Sequence, residues 1–496
     1  MLAAQTFQAE PMPLPQLLGI DDATYAQTII SGVQLDSRKV RPGDLFLALP
    51  GEMFDGRQFI EQAVANGASA VVAEAPVAGF VDALPVPLIE LPELHSEAGV
   101  LAARFYRNPS RAMQVIGITG TNGKTTTSRI IAQLLRSLGK PCGVIGTLGT
   151  TLAEDIAEAV NTTPDAISLQ HQLAQWLAQR VLHVSMEVSS HALEQGRVSG
   201  VEFATAIYTN LSHDHLDYHG SMEAYGRAKL RLFTHPGLRF AVINADDPFA
   251  ERVRAVVTSP TQVVTYSASG APADVRVENV QFHSDVVCGE LHTPWGMANF
   301  SSPLPGDFNL ANLAAAVAAL SVAGEDLLAV LDAVTQLHPV PGRMQTIPNA
   351  HGVQVIVDYA HTPHALEQVL SALRPHVSGS LITVFGCGGD RDRQKRQIMG
   401  RVACSLSDRV VVTSDNPRSE DPLVIMSDIE AGCSGHYTLI ADRAQAIVAA
   451  LADAVAGDCV VIAGKGHEEY QLVDGVRLPF SDADEARDAL ARRATM

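Results

Sequence analysis

The chain has 496 residues, of which 47% are hydrophobic and 18% are charged, and this composition is typical of a globular protein. The length exceeds what one hydrophobic core can organise, so two to four domains are expected. The net charge of -19 argues against nonspecific binding to nucleic acid, because such binding depends mostly on lysine and arginine contacts to phosphates.

Neither a membrane span nor a secretory signal is expected from the sequence. No window contains a continuous apolar run of about 18 residues, and the N-terminus lacks a basic stretch followed by an apolar run. The 6 cysteines are scattered and form no Cys-x-x-Cys pair, which argues against a zinc site and a disulfide framework. These patterns favour a reducing, cytoplasmic location.

Strands and helices alternate along the chain, and two breaks interrupt the alternation. The breaks are Asn108-Pro109 and His338-Pro339-Val340-Pro341-Gly342, which are rich in residues that end helices. They divide the chain into three predicted α/β domains, at residues 1–108, 109–340 and 341–496.

The three domains differ in the regularity of this alternation. In the first, short strands at 44–49 and 70–73 alternate with helical stretches. The second begins with an apolar strand at 115–119, and its alternating elements predict right-handed βαβ units in a mostly parallel sheet. The third repeats the pattern up to a strand at 459–463 and a final helix after Ser481, so a Rossmann-like domain is expected.

A glycine-bearing turn follows the strand at 115–119. Residues Gly120 to Thr127 read Gly-Thr-Asn-Gly-Lys-Thr-Thr-Thr and lead into a helix predicted up to about Leu138. Backbone N–H groups of such a turn face nucleotide phosphates, Lys124 would reach the β- and γ-phosphates, and Thr125 would place its hydroxyl on Mg²⁺. The strict motif needs glycine where this chain has Ile118, so a chance glycine turn remains the alternative.

Polar residues also follow the neighbouring predicted strands. Glu187 to Ser190 end one strand, where a carboxylate fits an Mg²⁺ ligand and a helix-capping serine pair is the alternative. Asn210 to His219 read Asn-Leu-Ser-His-Asp-His-Leu-Asp-Tyr-His, which indicates a hard metal ion, with an incidental surface loop as the alternative. Lys229 lies in a predicted helix, where a lysine by itself indicates only a solvated charge.

Four loops of the third domain follow its strands, and they begin at Asp358, Gly386, Asp415 and Gly464. The glycine-rich loop fails as a dinucleotide fingerprint, because Arg391 stands at the third glycine position. The loops would bring together four charged side chains, Arg391, Asp415, Arg418 and Glu468. Such mixed charges suit a zwitterionic ligand such as an amino acid, and exposed loops joined by ordinary ion pairs are the alternative.

Taken together, the motifs resemble those of the Mur ligases, the ATP-dependent amide-forming enzymes of peptidoglycan synthesis, over nearly the whole chain. The further motifs are Leu35-Asp36-Ser37-Arg38, Gly43-Asp44-Leu45-Phe46, Asn161-Thr162-Thr163-Pro164, Glu187 to Arg197, Asn309 to Asn312 and Pro341-Gly342-Arg343. The phosphate loop of this family has the form Gly-Thr-x-Gly-Lys-Thr, so Ile118 is no departure within it. Asp-Asn-Pro-Arg at 415–418 is similar to the loop of members that add meso-diaminopimelate, whereas lysine-adding members lack the arginine.

The resemblance implies a ligand for each matching residue. ATP would be bound by Gly120, Thr121, Asn122, Gly123, Lys124, Thr125, Thr126, Asn309, Arg343 and Asp358. The UDP-N-acetylmuramoyl dipeptide would be bound by Leu35, Ser37, Glu52, Met53, Phe54, Asn161, Thr162, Thr163, Ser189, Gln195 and Arg197. Diaminopimelate would be bound by Arg391, Asp415, Asn416, Pro417, Arg418, Gly464 and Glu468. Mg²⁺ would be held by Thr125, Glu187, His215 and Lys229, the last carboxylated by CO₂. The catalytic residues would be Lys124, Glu187, His215 and Lys229.

The resemblance also implies a reaction. The D-Glu carboxylate of UDP-N-acetylmuramoyl-L-Ala-D-Glu would attack the γ-phosphate of ATP, and the amine of meso-diaminopimelate would attack the resulting acyl phosphate. The third domain would close over the site to exclude water. His361 is a candidate for the base that takes the amine proton. The implied partners are these small molecules alone, without nucleic acid, and the implied state is a cytoplasmic monomer.

Three other functions stay open at this point. A lysine-adding Mur ligase differs in the amino acid it uses. An enzyme like folylpolyglutamate synthetase shares the second and third domains and the chemistry, but it needs neither this first domain nor the Asp-Asn-Pro-Arg loop. A phosphate-loop ATPase acting as a motor or switch would hydrolyse ATP without either small-molecule substrate; a nucleic-acid-binding ATPase is disfavoured by the net charge.

Overall fold

The structure is a computed structural model and describes residues 9–51, 54–79, 84–152, 155–157, 161–283 and 286–493. In these ranges the chain forms successive α/β units, each built around its own larger sheet. The α/β class and the three-part organisation expected from the alternation are confirmed. Among the described residues, no helix combines the length and the apolar character that crossing a membrane requires.

The first unit is a small parallel sheet with helices on its faces. Its strands are β1 (Met12–Pro13), β2 (Ile29–Ile30), β3 (Gly32–Gln34), β4 (Asp44–Ala48), β5 (Ala70–Glu74) and β6 (Leu88–Leu91). Its helices are α1 (Leu14–Leu18), α2 (Ile60–Ala65) and α3 (Leu94–Phe105). Strands β3 to β6 are parallel neighbours, and β1 pairs with β2 in a separate ribbon. Every residue of β4 is buried, because apolar clusters cover both faces of the sheet.

The middle unit contains the largest sheet. Its strands are β7 (Gln114–Thr119), β8 (Cys142–Gly146), β9 (Gly149–Leu152), β10 (Asp155–Ala157), β11 (His183–Glu187), β12 (Thr205–Tyr208), β13 (Phe240–Asn244), β14 (Gln262–Ser267), β15 (Val275–Phe282), β16 (Val287–Thr293) and β17 (Gly296–Ser302). Its helices are α4 (Lys124–Ser137), α5 (Ala166–Ala178), α6 (Ser190–Glu194), α7 (Leu216–His219), α8 (Met222–Leu230), α9 (Ala250–Val256), α10 (Phe308–Val322) and α11 (Leu327–Val334). The strands pair in the order β10-β9-β8-β11-β7-β12-β13-β14-β15-β16-β17.

Strand β7 runs through the centre of this sheet, parallel to β11 on one side and to β12 on the other. Its side chains alternate between two cores. Ile116 and Ile118 pack with α4 and α10, whereas Val115 packs on the opposite face with α5. A strand that is buried on both faces has a continuous apolar sequence, and β7 could therefore be predicted from the sequence.

The antiparallel parts of this sheet were not predicted. Strands β15, β16 and β17 pair antiparallel at one end, and β8, β9 and β10 do so at the other. In the first half of β15 buried residues alternate with half-buried ones, and the residues of its second half are exposed or half-buried. Antiparallel strands need no intervening helix and can leave one face in water, so they show neither the βαβ alternation nor a long apolar run.

The third unit is a second, smaller parallel sheet. Its strands are β18 (Gln345–Thr346), β19 (Gln354–Asp358), β20 (Leu381–Phe385), β21 (Arg409–Val412), β22 (Tyr437–Leu439), β23 (Cys459–Ala463), β24 (Tyr470–Val473) and β25 (Val476–Pro479). Its helices are α12 (Pro363–Leu373), α13 (Gln394–Leu406), α14 (Pro422–Glu430), α15 (Arg443–Ala452) and α16 (Asp482–Arg493). The sheet order is β18-β19-β23-β20-β21-β22, parallel except for β18, and β24 and β25 form a separate hairpin. The sequence did not predict α14, β22 or this hairpin.

The carboxyl ends of the two parallel sheets face the same space. Loops after β7, β11 and β12 in the middle unit line one cavity together with loops after β19, β20, β21 and β23 in the third unit. Ligands of open α/β sheets bind outside the carboxyl ends of the strands. The fold therefore brings two such edges to one place.

A buried ion pair holds the end of the chain to the third sheet. Arg443, the first residue of α15, donates from Nε and Nη2 to Asp482 at 2.7 Å each, and both side chains are fully buried. The guanidinium also donates to the carbonyl of Ser414, two residues after β21, and to that of Ala463, the last residue of β23. The pair thus joins α15, α16 and two strand ends.

We expect Asp482→Ala to lower the stability of the third unit by about 3–5 kcal/mol, because it leaves a buried guanidinium without its anion. The matched control is Asp453→Ala, which removes the exposed ion pair between Asp453 and Arg409, 2.8 Å apart. Loss of this pair should lower the free energy of unfolding by less than about 1 kcal/mol. Calorimetric melting of both variants measures the difference. Equal melting temperatures for the two variants would contradict this role of the buried pair.

Candidate functional site

A cavity of about 1180 Å³ lies between the middle and third units. The predicted site residues that line it are Thr121, Asn122, Gly123, Lys124, Thr125, Thr126, Asn161, Thr162, Glu187, Ser189, Gln195, Arg197, His215, Lys229, Asn309, Arg343, Asp358, His361, Arg391, Asp415, Asn416, Arg418, Gly464 and Glu468. The predicted residues outside this lining are Leu35, Ser37, Phe54, Gly120, Thr163 and Pro417. Glu52 and Met53 lie outside the described residues.

The predicted phosphate loop connects β7 to α4 as expected. Gly120 and Gly123 both have positive φ, +150° and +86°. A Cβ at Gly120 would lie 1.8 Å from Thr209 Oγ1, and one at Gly123 would lie 2.5 Å from Asn312 Oδ1. Only glycine fits these positions, so the turn needs both glycines for its close packing against the neighbouring strand and helix.

Two lysines share one carbonyl of this loop. Lys124 Nζ donates to Gly120 O at 2.9 Å and to Thr121 O at 2.8 Å. Lys229 Nζ, on α8, donates to the same Gly120 O at 2.9 Å. The two amino groups are therefore close neighbours, and the charge of Lys124 disfavours the protonated form of Lys229.

The electrostatics of Lys229 set it apart from a surface lysine. Its side chain is buried, its Nζ lies 4.2 Å from the ring centre of Tyr225, and no carboxylate of the described residues pairs with it. Burial and then the charge of Lys124 hold the pKa of Lys229 well below its usual range, with Asp214 opposing. The solvated-charge interpretation is therefore wrong for this residue.

Glu187 ends β11 and turns its carboxylate toward the phosphate loop. Oε2 accepts from Thr125 Oγ1 at 3.0 Å and from Thr147 Oγ1 at 3.1 Å, and Oε1 accepts from the Thr147 N–H at 2.8 Å. A Cβ at Gly146 would lie 2.1 Å from Oε1, so the glycine gives the carboxylate its room. Thr147 was not predicted; its position directly after β8 at the carboxyl edge was the available signal.

The histidines of the 210–219 loop point to different partners. His213 Nε2 lies 2.5 Å from Asp392, His215 Nε2 lies 3.3 Å from Asp214, and His219 Nε2 lies 2.9 Å from Ser190 Oγ. Within the described part of the chain, no group of three or more His, Cys, Asp or Glu could hold a metal ion. The loop thus does not gather its own ligands around one point. His213 contacts the third unit, whereas the rings of His215 and His219 pack against His191, with ring centres 4.9 and 5.5 Å apart.

His215 itself faces the cavity beside the two lysines. Desolvation lowers the pKa of His215 to about 3; the nearby charges of His191, Lys229 and Lys124 act in the same direction, and Asp214 acts against them. The imidazole is therefore neutral at neutral pH, which is the form that can donate a lone pair to a metal ion.

Asp214 connects the middle unit to the third unit. Its buried carboxylate lies 3.6 Å from Lys395 Nζ and 3.8 Å from His361 Nε2, both of which belong to the third unit. Burial alone would raise the pKa of Asp214, but the nearby groups of His361, His215 and Lys395 hold it well below its usual range. With His213 and Asp392, these contacts form a charged junction across the cavity wall. Asp214, Lys395 and Asp392 were not predicted as site residues.

Arg343 and Asp358 bring the start of the third unit to the phosphate loop. Arg343 Nη2 donates to Thr125 Oγ1 at 3.2 Å, and the guanidinium lies 4.1 Å from the ring centre of Tyr359. Asp358 accepts the N–H groups of Met344 and Ala360 at 2.7 Å each, and burial raises its pKa. Arg343 therefore lies at the phosphate end of the cavity.

Asn309 and Asn312 of α10 close the other side of the loop. Asn312 Nδ2 donates to Asn309 Oδ1 at 3.0 Å, and Asn312 Oδ1 accepts from Thr127 Oγ1 at 3.2 Å. On the opposite flank, Arg197 donates to Thr163 O at 3.0 Å and pairs with Gln195. Thr163 thus contacts a cavity residue although it does not line the cavity.

The loops of the third sheet place two arginines and two carboxylates in one pocket of the cavity. Arg418 Nη1 donates to Gly389 O at 2.8 Å, and Arg391 Nη1 donates to Asp390 O at 2.9 Å. Among the described residues neither arginine has a carboxylate within ion-pair distance. Burial and then the charge of Arg391 lower the pKa of Arg418, with Asp415 and Glu468 opposing. The pocket thus offers positive charge that no internal anion neutralises.

Small residues make room for these charges. A Cβ at Gly388 would lie 2.7 Å from Arg418 Nη1, and a Cβ at Gly464 would lie 2.5 Å from Asp415 Oδ2. Asn416 Nδ2 donates to Glu468 Oε2 at 2.8 Å. The predicted convergence of these loops at one sheet edge is therefore what the structure shows.

Comparison with known proteins supplies the family. Three family models match the chain, described as Mur ligase family, catalytic domain, at residues 29–106, Mur ligase middle domain at 118–320, and Mur ligase, glutamate ligase domain, at 342–466. Proteins from Ectopseudomonas mendocina and Pseudomonas aeruginosa are 50% and 47% identical over 483 residues, which cover 97% of this chain and 98% of each relative. Both are named UDP-N-acetylmuramoyl-L-alanyl-D-glutamate--2,6-diaminopimelate ligase.

A solved structure of a protein with that same name is 40% identical, has a TM-score of 0.71 and covers 98% of this chain and 100% of its own. The family models fall on each of the three units, and the relatives extend over almost the full length. The chain therefore belongs to the Mur ligase family.

Proposed function

We propose that this protein uses ATP to join meso-2,6-diaminopimelate to the D-Glu carboxylate of UDP-N-acetylmuramoyl-L-Ala-D-Glu, in the cytoplasmic synthesis of peptidoglycan precursors. The observation that carries the proposal is the pocket that holds Arg418, Arg391, Asp415 and Glu468, in which no carboxylate of the described residues lies within ion-pair distance of either arginine. This pocket opens into the same cavity as the phosphate loop, so an amino acid and ATP can be bound together. The names of the relatives support the same substrates.

The substrates divide among the three units, for which we propose the bounds 1–108, 109–340 and 341–496. ATP binds at the phosphate loop, Arg343, Asp358 and Asn309. The UDP group binds at Leu35, Ser37, Glu52, Met53 and Phe54 in the first unit. The muramoyl dipeptide binds at Asn161, Thr162, Thr163, Ser189, Gln195 and Arg197, and diaminopimelate binds at the third-unit loops. All partners are small molecules, and the working form is a monomer.

Lys124 and Arg343 stabilise the charge that develops on the transferred phosphoryl group. Phosphoryl transfer depends mostly on positioning and on neutralising the equatorial oxygens. Lys124 is anchored only to loop carbonyls and Arg343 contacts Thr125 at the loop, so both can turn to an incoming phosphate. The D-Glu carboxylate then attacks the γ-phosphate, ADP leaves, and an acyl phosphate remains.

The second step requires the amine of diaminopimelate to lose a proton as it attacks the acyl carbon and phosphate leaves. His361 Nδ1 lies 2.8 Å from Tyr359 O, and the tautomer that donates from Nδ1 to this carbonyl leaves Nε2 to accept a proton. Asp214 lies near that nitrogen and stabilises the imidazolium that results. His361 is therefore our candidate for the base.

An Mg²⁺ ion, which would polarise the phosphoryl oxygens when bound, fits Thr125, Glu187, His215 and a carboxylated Lys229. The fit rests on chemistry at the loop: a carboxylate, a hydroxyl and a neutral imidazole are available, but an ammonium at Lys229 would repel the ion. Carboxylation joins the neutral amine to CO₂ and releases a proton, so it replaces this cation with an anionic oxygen ligand. Low basicity and burial of Lys229 support the modification.

The charged junction at Asp214 and His213 supports exclusion of water during the reaction. It holds the third unit against the middle unit at the edge of the cavity. An acyl phosphate is hydrolysed by water, so a closed cavity protects it until the amine attacks.

The function is tested by ADP release with UDP-N-acetylmuramoyl-L-Ala-D-Glu, comparing meso-diaminopimelate with L-lysine. Lysine lacks the far carboxylate and would leave the charge of Arg418 desolvated and unpaired, so we expect a preference for diaminopimelate of order 10³-fold or more in kcat/KM. Arg418→Ala should lose most of this preference through a higher KM for diaminopimelate, with the KM for ATP little changed.

The control for this variant is Arg477→Ala, an arginine of the same unit that packs on Tyr470 away from the cavity lining. It should keep the wild-type preference. Equal use of L-lysine by the wild type, or discrimination retained in Arg418→Ala, would show that the loop does not select diaminopimelate. ATP hydrolysis that needs neither substrate would point to the motor or switch class.

We expect Lys124→Ala to reduce phosphate release by about 10³-fold or more while the fold remains intact, because the transferred phosphoryl group loses its cation. Lys140→Ala is the control: Lys140 follows α4 and pairs with Glu325 outside the cavity lining. The measurement combines steady-state phosphate release with thermal melting. Wild-type turnover in a cooperatively melting Lys124→Ala protein would refute the assignment.

We expect Lys229→Ala to be nearly inactive and to regain part of its activity when small carboxylic acids are added, because these replace the missing carboxylate. Arg227→Ala, an exposed position on the same helix, should remain active. A ¹³C NMR signal from protein equilibrated with ¹³CO₂ reports the modification independently of activity. Full activity in CO₂-free buffer, together with an unmodified ammonium in crystals with ATP and Mg²⁺, would exclude it.

A further inference from the structure

Lys465 is a fully buried lysine beside the pocket that contains Asp415, Arg418 and Glu468. It lies in the loop after β23, and its side chain has no exposed surface. Its ammonium donates to Asn416 Oδ1 and to Glu468 Oε2, at 3.0 Å each, and lies 3.8 Å from Asp415 Oδ1. A buried charge is costly unless it is paired and hydrogen-bonded, and these three groups supply the pairing.

Lys465 controls which edge of Glu468 is free. Glu468 Oε2 accepts from Lys465 Nζ and also from Asn416 Nδ2 at 2.8 Å. The other oxygen, Oε1, accepts no hydrogen bond from the described residues. Glu468 lines the cavity, whereas Lys465 does not. Oε2 of Glu468 is thus hydrogen-bonded to the protein, and Oε1 is left for a ligand.

The same ammonium orients the amide of Asn416. Asn416 Oδ1 accepts both Lys465 Nζ and the Leu472 N–H, the latter at 2.9 Å. Two donors on Oδ1 require that Nδ2 point the other way, toward Glu468. Lys465 therefore acts on Glu468 directly and through Asn416.

The charges in this pocket match the far end of the proposed amino acid. Asp415 and Glu468 would carry two negative charges, and Lys465 offsets one of them. Arg418 and Arg391 add two positive charges with which no carboxylate of the described residues forms an ion pair. What remains for the ligand is one negative and two positive charges. The far end of diaminopimelate carries one ammonium and one carboxylate, and its second carboxylate can take the other positive charge.

We propose that Lys465 is a positioning residue that presents Glu468 to the far ammonium group of the amino-acid substrate. Through this contact it sets the preference for a substrate with a second ammonium group. The inference rests on the proposed function, since it takes diaminopimelate as the ligand of this pocket. It differs from a purely structural role, in which Lys465 only joins the 464–468 loop to Asp415 and Asn416.

The test compares meso-diaminopimelate with L-2-aminopimelate, which keeps the far carboxylate and lacks the far ammonium group. The wild type should prefer diaminopimelate by about 10²-fold in kcat/KM, the scale of a hydrogen bond between charged groups. In Lys465→Met the preference should fall below about tenfold, through a higher KM for diaminopimelate. The KM values for ATP and for L-2-aminopimelate should change by less than about threefold.

Two more variants separate positioning from structure. Lys465→Arg keeps the buried charge, so it remains informative where Lys465→Met fails to fold; its fork-shaped guanidinium should still lower the preference by about fivefold or more. Glu468→Gln alone should lose the preference for diaminopimelate over L-2-aminopimelate. If Lys465 acts through Glu468, the double variant Glu468→Gln with Lys465→Met should show the same preference as Glu468→Gln.

The matched control is Arg396→Met, which removes another fully buried cation of the same unit, one that pairs with Glu420 and Asp428 outside the cavity lining. It should lower the melting temperature and leave the preference at the wild-type value. A wild-type preference in Lys465→Met or Lys465→Arg, or an equal loss of kcat with both amino acids, would overturn the proposal. Failure of the wild type to use diaminopimelate would instead overturn the proposed function.

Discussion

The ammonium groups of Lys124 and Lys229 donate to the same carbonyl oxygen, that of Gly120, and this contact explains much of the site around it. Two cations on one acceptor would repel each other, and burial together with the charge of Lys124 holds the pKa of Lys229 well below its usual range. Burial also lowers the pKa of Lys124, against the opposing charges of Glu187 and Asp214. The phosphates of ATP and a carboxylated Lys229 would supply the missing negative charge. The phosphate loop is thus prepared for an anion by its own unfavourable charge.

A second consequence of charge is the junction between the middle and third units. Asp214 of the middle unit lies between His215 of its own unit and His361 and Lys395 of the third unit. In the second contact the acid belongs to the third unit: Asp392 contacts His213 of the middle unit. Each unit therefore contributes one anion and at least one group that can be cationic. Such paired contacts hold the two sheet edges at the same cavity. An acyl phosphate formed there would need protection from water, which closer contact between the two units would give.

The proposed amino-acid pocket has the opposite arrangement: among the described residues no carboxylate pairs with its arginines, whereas its carboxylates are partly paired. The hydrogen bonds from Arg418 to described residues go to carbonyls, and one oxygen of Glu468 accepts from Lys465 and Asn416. In the proposed function, selectivity would arise from a ligand that pairs with the remaining charges. A ligand without the far carboxylate leaves a desolvated guanidinium, which is more costly than a lost contact alone.

The sequence by itself determined the features that neighbouring residues encode. The phosphate loop, the strand–helix alternation and the polar residues after each strand could be predicted, because strand, turn and helix N-terminus are continuous in the chain. Only the tertiary structure decided which of these groups meet. Lys229 reaches Gly120 across 109 residues, and Asp392 reaches His213 across 179. Three features depend on packing between distant segments: the burial of Lys229, the contacts of His213 with Asp392 and of His219 with Ser190, and the concealed position of Lys465. A linear pattern contains no information about that desolvation, so the chemistry of these residues appears only in the folded chain.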